Sequence, residues 1–333
     1  MGTLSRFPAA AALLLAVAAS ACSGGRDAVT IYSGRDEALV GPLLEDFADE
    51  AGIDIDVKFG DSGELALLIA EEGTNSPADV FLSQSPGASD FLYGEGLLDT
   101  LPAGPLARVG EEWHGTDGSW VGVTARRRVI VYNTEMVSEP DLPGSVFDLV
   151  RPEYEAAVAV APANASFQDF VTAMRATEGD EAARAWLEGM AENRSPTYAD
   201  NSSIVAAVGR GEIAMGLVNH YYNYRALQED PDAPSANYVF PRGDVGSLLI
   251  ASTASILQSA DDPERARRFV EFLLSEDAQE YFSEETFEYP LAEGAEAADE
   301  LPPLDEDSGL VVDLSRLGDL ETTAQMIADS GLL

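Results

Sequence analysis

The sequence predicts an α/β protein folded as two lobes. Strand and helix signals alternate along its whole length, the pattern of α/β layers with helices on both faces of mixed, mostly parallel sheets. The portion beyond a short N-terminal leader, about 310 residues, exceeds what one hydrophobic core ordinarily supports. A hydrophobic fraction of 46% is ample to fill two. No internal repeat or low-complexity segment interrupts the alternation.

The first segment reads as a leader. Arg6 precedes an apolar run from Pro8 to Ala19, about a dozen residues where a spanning helix needs roughly 20. A short apolar core ending in Ser20-Ala21-Cys22 is a secretory signal. The placement resembles the lipobox of bacterial lipoproteins, whose cysteine becomes the acylated first residue. The expectation is a signal over 1–22, a tether over 23–28 and a lipid on Cys22 that holds an exported chain to the membrane. Ala19 stands where that motif prefers Leu, and cleavage near Ala21 with Cys22 unmodified is the alternative. With its only cysteine so committed, the chain has none for a disulfide, a thiolate metal site or a nucleophile.

Val29 to Tyr32 is a short strand, followed by an amphipathic helix near Glu37 to Asp49 that stops at Gly52. Ile53 to Val57 alternates as a half-buried strand. Ser62 is placed to cap a helix over Glu64 to Glu72. Val80 to Leu82, Val129 to Tyr132 and Ala157 to Ala161 are further strands. Ser166 opens a helix toward Arg175 with Asp169 at the capping-box position. Ile213 to Val218 is strand-like, and the chain turns helical from His220. Gly246 to Ile256 returns to strand, and Pro263 to Phe282 reads as one helix with an apolar stripe.

The charge is extreme, 59 acidic against 19 basic residues for a net of -40, with Lys58 the only lysine. Such a surface repels nucleic acid and anionic headgroups, so neither is an expected partner. The acid is spread along the chain rather than gathered in a tail. Dense salt screens self-repulsion of this kind, and the composition reads as a high-salt habitat rather than as function.

Several segments, taken in order, carry a resemblance: Thr30 to Arg35, Gly63 to Ala66, Ser76 to Phe81, Arg126 to Asn133, Pro162 to Gln168 and Val218 to Tyr222. Together they resemble the type 2 periplasmic binding proteins, and within them the ferric-iron receptors of ABC importers. The resemblance implies two α/β lobes joined by hinge strands, a ligand in the cleft and closure on binding. It puts one lobe at 29–125 plus 247–300 and the other at 126–246 plus 301–333. The chain then crosses near residue 126, returns near 247 and crosses again in its C-terminal tail. The implied partners are the importer's permease and ATPase, and the implied state is a monomer.

Ferric ion is small, hard and highly charged, and it favours anionic oxygen. A phenol with a pKa near 10 is scarcely ionised at neutral pH, but a trivalent ion nearby offsets that cost. Tyr221 and Tyr222 sit where a strand gives way to a helix, so both can turn to one ion. The resemblance makes this pair metal ligands; packing in a Tyr-rich turn with Tyr224 is the plain alternative. Period-two counting puts Tyr132, Ile130, Arg128 and Arg126 on one strand face, and some members of the family use a tyrosine at the position of Tyr132 as a ligand. Many members carry His, or His-Tyr, where this chain has Asp36 and Glu37. Asp36 and Glu64 are therefore candidate carboxylate ligands, or first-turn acids stabilised by their helix dipoles.

These receptors complete the iron shell with a small anion such as carbonate or phosphate. Arg35, Thr124 and Arg126 are the expected contacts, with Asn164 and Ser166 at a helix N-terminus and Asn219 beside the tyrosines. Arg127 and Arg128 serve structural ion pairs equally well, and His220 is expected to pack behind the tyrosines. A receptor of the same fold for polyamine, sulfate or thiamine is the competing reading. A secreted hydrolase is a third, but no nucleophile motif or zinc spacing accompanies its carboxylates.

Overall fold

In a computed structural model the chain is described over residues 28–304, 310–312 and 320–333, so the leader and Cys22 lie outside the described residues. β1 (Ala28–Ser33) runs parallel to β2 (Asp54–Phe59) on one side and to β3 (Val80–Ser83) on the other. The crossover helices are α1 (Glu37–Ala51) and α2 (Ser62–Glu72). α1 stops because Gly52 takes φ 61°, a left-handed cap that costs glycine nothing. Asp61, and not Ser62, caps α2: its carboxylate accepts from the N–H groups of Gly63 and Glu64. The Ser62 hydroxyl instead accepts from the Gln84 N–H, tying α2 to the end of β3.

α3 (Pro86–Gly94) and the short α4 (Ala103–Leu106) lead to β4 (Val121–Asn133), which is buried at every residue. Beyond it come β5 (Val158–Ala159), α5 (Ala165–Glu178), α6 (Asp180–Glu192), α7 (Asn201–Gly209), β6 (Met215–Asn219), α8 (Tyr221–Glu229) and β7 (Ser235–Tyr238). The chain returns through β8 (Leu248–Ile256) to α9 (Pro263–Leu273), α10 (Glu276–Glu284), β9 (Tyr289–Pro290), β10 (Leu310–Val311) and α11 (Leu320–Asp329).

β4 is the spine. Its first half pairs with β8 and β9, and its second half with β6 and β7, all antiparallel. The order across the molecule is β2-β1-β3-β8-β4-β6-β5. The expectation of mostly parallel sheets is corrected here. Among the described strands four pairings are parallel and five antiparallel, because β4 and β8 pass side by side between the lobes in opposite directions.

Each lobe has its own apolar core. In the first, α1 and α9 close over the sheet with the Phe47 and Phe269 rings edge to face at 5.0 Å. In the second, Trp186 sits against Phe170 at 5.5 Å and Phe167 at 6.2 Å, and Met326 and Ile327 of α11 pack onto the same cluster. Burying such side chains stabilises by about 1.5–3 kcal/mol each, which is how a chain without disulfides is held. Two helix readings change in detail. The run from Pro263 to Phe282 breaks at Ser275, whose hydroxyl caps α10 by accepting from the Ala278 N–H. α5 is capped by Asn164 rather than opened by Ser166.

Candidate functional site

The tyrosine pair begins α8. β6 ends at Asn219, His220 already has helical backbone, and Tyr221 and Tyr222 form the first turn. Their rings stack at 4.1 Å with 28° between planes, so adjacent side chains project the same way instead of to opposite faces. Tyr221 is buried, against the core of the first lobe although its helix belongs to the second. Burial pushes its phenol well above the ordinary range, and the Tyr222 phenol adds to this; Arg126 and Arg35 pull the other way. Without a strong cation Tyr221 is a neutral phenol.

Behind the pair, β4 presents its arginines on alternating faces. Arg127 turns away, with its guanidinium 5.3 Å from the Tyr289 ring centre. Arg126 and Arg128 share the opposite face, both buried. Arg128 donates to the Leu217 carbonyl at 3.0 Å, to Ser166 Oγ at 3.2 Å and to Asn219 Oδ1 at 3.3 Å. Burial pulls its pKa down to about 9, partly offset by Tyr222 and Asp169. Arg126 Nε and Nη2 and Arg128 Nε are buried with no acceptor. Buried donors of this kind cost free energy unless something accepts from them.

A polar cradle adjoins them. Asn164 Oδ1 accepts from the Ser166 N–H at 3.1 Å, from Ser166 Oγ at 2.6 Å and from the Asn201 amide at 3.2 Å. Asn201, at the start of α7, also donates to Ser166 Oγ at 3.3 Å and leaves its own Oδ1 without a partner. The structure thus brings Asn164, Ser166, Asn219 and Arg128 together and adds Asn201, which the sequence reading passed over. The only available signal for Asn201 was a polar residue in the first turn after the capping Asp200.

Other expectations are redirected. Thr124 is not free to hold an anion, because its one hydroxyl proton goes to Glu288 Oε2 at 2.7 Å. Glu288, fully buried, also holds Arg35 through Nη2 at 2.5 Å. Arg35 is therefore fixed by an ion pair to the hinge region, where its charge lies within electrostatic reach of both tyrosines. Tyr132 is not brought to the pair. It packs in the core of the second lobe opposite Met215, while Arg128 on the same strand lies opposite Asn219. Those four residues amount to about 13 Å along a strand, in the direction away from Tyr221. Asp36 is exposed and caps α1 by accepting from the Ala38 N–H at 3.0 Å. Glu64 is exposed on α2 and lines the cleft. No group of three or more His, Cys, Asp or Glu side chains suited to a metal occurs among the described residues. His220 stacks on Tyr289 at 4.9 Å, and its Nδ1 accepts from the Arg127 N–H at 3.1 Å. Burial and Arg127 pull its pKa down to about 3, so it is a neutral brace.

The lobes meet across a cavity of about 260 Å³. Asp61, Ser62, Glu64, Gln84 and Ser85 line it from the first lobe; Ala163, Ala165, Gln168 and Asp169 line it from the second.

Residues 75–312 match the sequence profile of the bacterial extracellular solute-binding proteins. The chain belongs to this family. It is 30% identical over 329 residues to the Fe(3+)-binding periplasmic protein of Serratia marcescens, covering 97% of this chain and 96% of that one. It is 31% identical to the major ferric iron-binding protein of Neisseria meningitidis over 96% of this chain and 97% of that one. Iron-bound HitA from Pseudomonas aeruginosa superposes with a TM-score of 0.87 at 34% identity, over 91% of this chain and 99% of that one. The family accounts for the two lobes and the cleft between them; the tyrosines, the arginines and the Asn/Ser cradle lie outside the lining of the 260 Å³ cavity, which Asp169 and Ala165 of α5 join to the cradle side.

Proposed function

We propose that this protein is an extracytoplasmic receptor that captures ferric iron between its lobes and hands it to the permease and ATPase of an ABC importer. The observation that carries the reading is the stacked Tyr221–Tyr222 pair at the head of α8, with Tyr221 buried and Tyr222 half-buried, in a region where Arg126 and Arg128 keep guanidinium N–H groups without an acceptor. Two phenolates supply hard anionic oxygen to a trivalent ion, while divalent calcium and magnesium favour carboxylate and carbonyl oxygen. A carbonate- or phosphate-like anion completes the site, accepting from Arg126, Arg128 and the N-terminus of α5 at Asn164 and Ser166, which Asn201 holds in place through its amide. Glu64, at the cleft, is the carboxylate retained as a further ligand. Asp36 caps α1 through one carboxylate oxygen, and Tyr132 packs in the core of the second lobe, so neither is placed in the site here.

The lobe limits, 29–125 plus 247–300 and 126–246 plus 301–333, belong to this reading, as do the monomer and the lipid on Cys22. The packing of α11 on the second core supports these limits for the C-terminal helix, whereas Leu301 packs in the first core and Leu248 and Ile250 in the second, so those boundaries fall a few residues later than 300 and 247. A receptor for another solute of the polyamine, sulfate or thiamine kind lacks a use for paired buried phenols. Visible absorbance separates the two. Purified protein mixed with ferric salt and phosphate develops a phenolate-to-iron charge-transfer band; colourless protein that binds a different solute would displace the iron reading.

A further inference from the structure

Ser85 is the N-cap residue of α3, with the extended backbone that a capping serine adopts, yet its side chain makes no cap hydrogen bond. The hydroxyl instead donates across the cleft to Asp169 Oδ1 at 3.1 Å, joining the first lobe to α5 of the second. Asp169 is buried, and both residues line the interlobe cavity. The bond spans the two lobes, so it can form only while they are in contact. On opening, the Ser85 hydroxyl can turn back to α3 and Asp169 regains water.

We propose that Ser85 and Asp169 form the latch of the closed receptor, and that the charge on Asp169 sets how firmly it holds. The groups facing Asp169 are Arg126 and Arg128 from β4, Asp61 from the cap of α2, Ser85 itself, and Glu64 of α2 across the same cavity. Burial outweighs the two arginines and pushes the carboxyl up to about 6 in the closed form. Opening returns it toward the ordinary aspartate value near 4. The closed form therefore binds the proton more tightly than the open form. Through this group closure is favoured below about pH 4, and that advantage is lost as pH rises through about 6. At neutral pH the latch is loaded against a buried charge, which eases reopening for delivery. This rests on the receptor reading for its cargo, but the opening equilibrium can be followed without cargo.

The test uses Ser85→Ala, which removes the donor, Ser85→Thr, which keeps a hydroxyl, and Asp169→Asn, which keeps an acceptor but no charge. Iron release to excess citrate is followed by loss of the visible band, and compactness without iron by small-angle scattering. Ser85→Ala should release iron about tenfold faster at every pH, with Ser85→Thr restoring most of the difference. Asp169→Asn should release about tenfold more slowly than the parent at pH 8 and at the parent rate near pH 4. Without iron it should be the more compact protein at pH 8. Wild-type release rates in Ser85→Ala, or an Asp169→Asn profile that tracks the parent from pH 4 to 8, overturn the latch. A parent that never colours with iron defeats the cargo reading instead, and the scattering arm still decides the latch.

Discussion

Replacing Tyr221 by Phe keeps the stacked ring and deletes one hard oxygen. An ordinary phenol with a pKa near 10 costs about 4 kcal/mol to ionise at pH 7, and burial raises that cost for Tyr221. Two phenolates thus ask the ion for about 8 kcal/mol or more, which a trivalent cation supplies and a divalent one does not. The cost has a measurable signature. Each phenol releases one proton when iron binds, and each proton released lowers affinity about tenfold per pH unit on acidification. The parent should therefore lose about 100-fold in conditional iron affinity per unit between pH 7.5 and 5.5, and Tyr221→Phe or Tyr222→Phe about tenfold. Competition against citrate, corrected for citrate's own protonation and read at the charge-transfer band, measures both slopes. Each single variant should also lose most of the band. A slope and colour unchanged in both variants would refute phenolate ligation by this pair.

Arg126→Gln should weaken the phosphate dependence of iron binding by tenfold or more, because it removes buried donors that lack an acceptor; isothermal titration with phosphate at fixed iron reads this, and unaltered phosphate affinity removes Arg126 from the anion site. The melting temperature should rise from low ionic strength to molar sodium chloride, since the net charge of -40 is screened only by concentrated counterions; a flat or falling trend ends the high-salt reading. Cys22→Ser should move the protein from the membrane fraction to the soluble one, and mass spectrometry of an unacylated mature N-terminus in the parent would contradict the lipid anchor.

Much of the fold was legible because it is local. Alternation marked β2, short apolar runs marked β1, β3, β6 and β8, and glycine at position 52 marked the end of α1. The tyrosine pair was visible for the same reason: two adjacent phenols at a strand-to-helix junction need no distant partner to be noticed. Arg126 and Arg128 were placed on one strand face by counting alone, and the structure keeps them there. What the sequence did not show is non-local. Nothing near Thr124 shows that its hydroxyl serves Glu288, 164 residues away, or that Arg35 meets the same carboxylate across 253. Tyr132 sits on the expected face, but its distance along β4 from Asn219 follows from register with β6, which alternation does not set.

Composition hid the remaining functional acids. Among 59 acidic residues, Glu288 looks like any other and Asp169 reads only as a capping acid, and a sequence so rich in acid offers carboxylate pairs everywhere by chance. What separates them is burial, because a carboxylate withdrawn from water must be compensated and an exposed one need not be. The compensation follows a pattern: Arg35, Arg126, Arg127 and Arg128 are all buried, three of them consecutive on β4, in a chain with only 19 basic residues. On the receptor reading, an acid-coated protein that buries four guanidiniums near one hinge strand has concentrated positive charge beside the proposed metal site. Three of them suit the work there: one fixed by Glu288 near the phenols, two left short of acceptors beside an Asn/Ser cradle. Such a cluster repels bare cations and admits one only in company with anions. The two phenolates and a small anion supply that company, so metal and anion should bind as a pair rather than in succession.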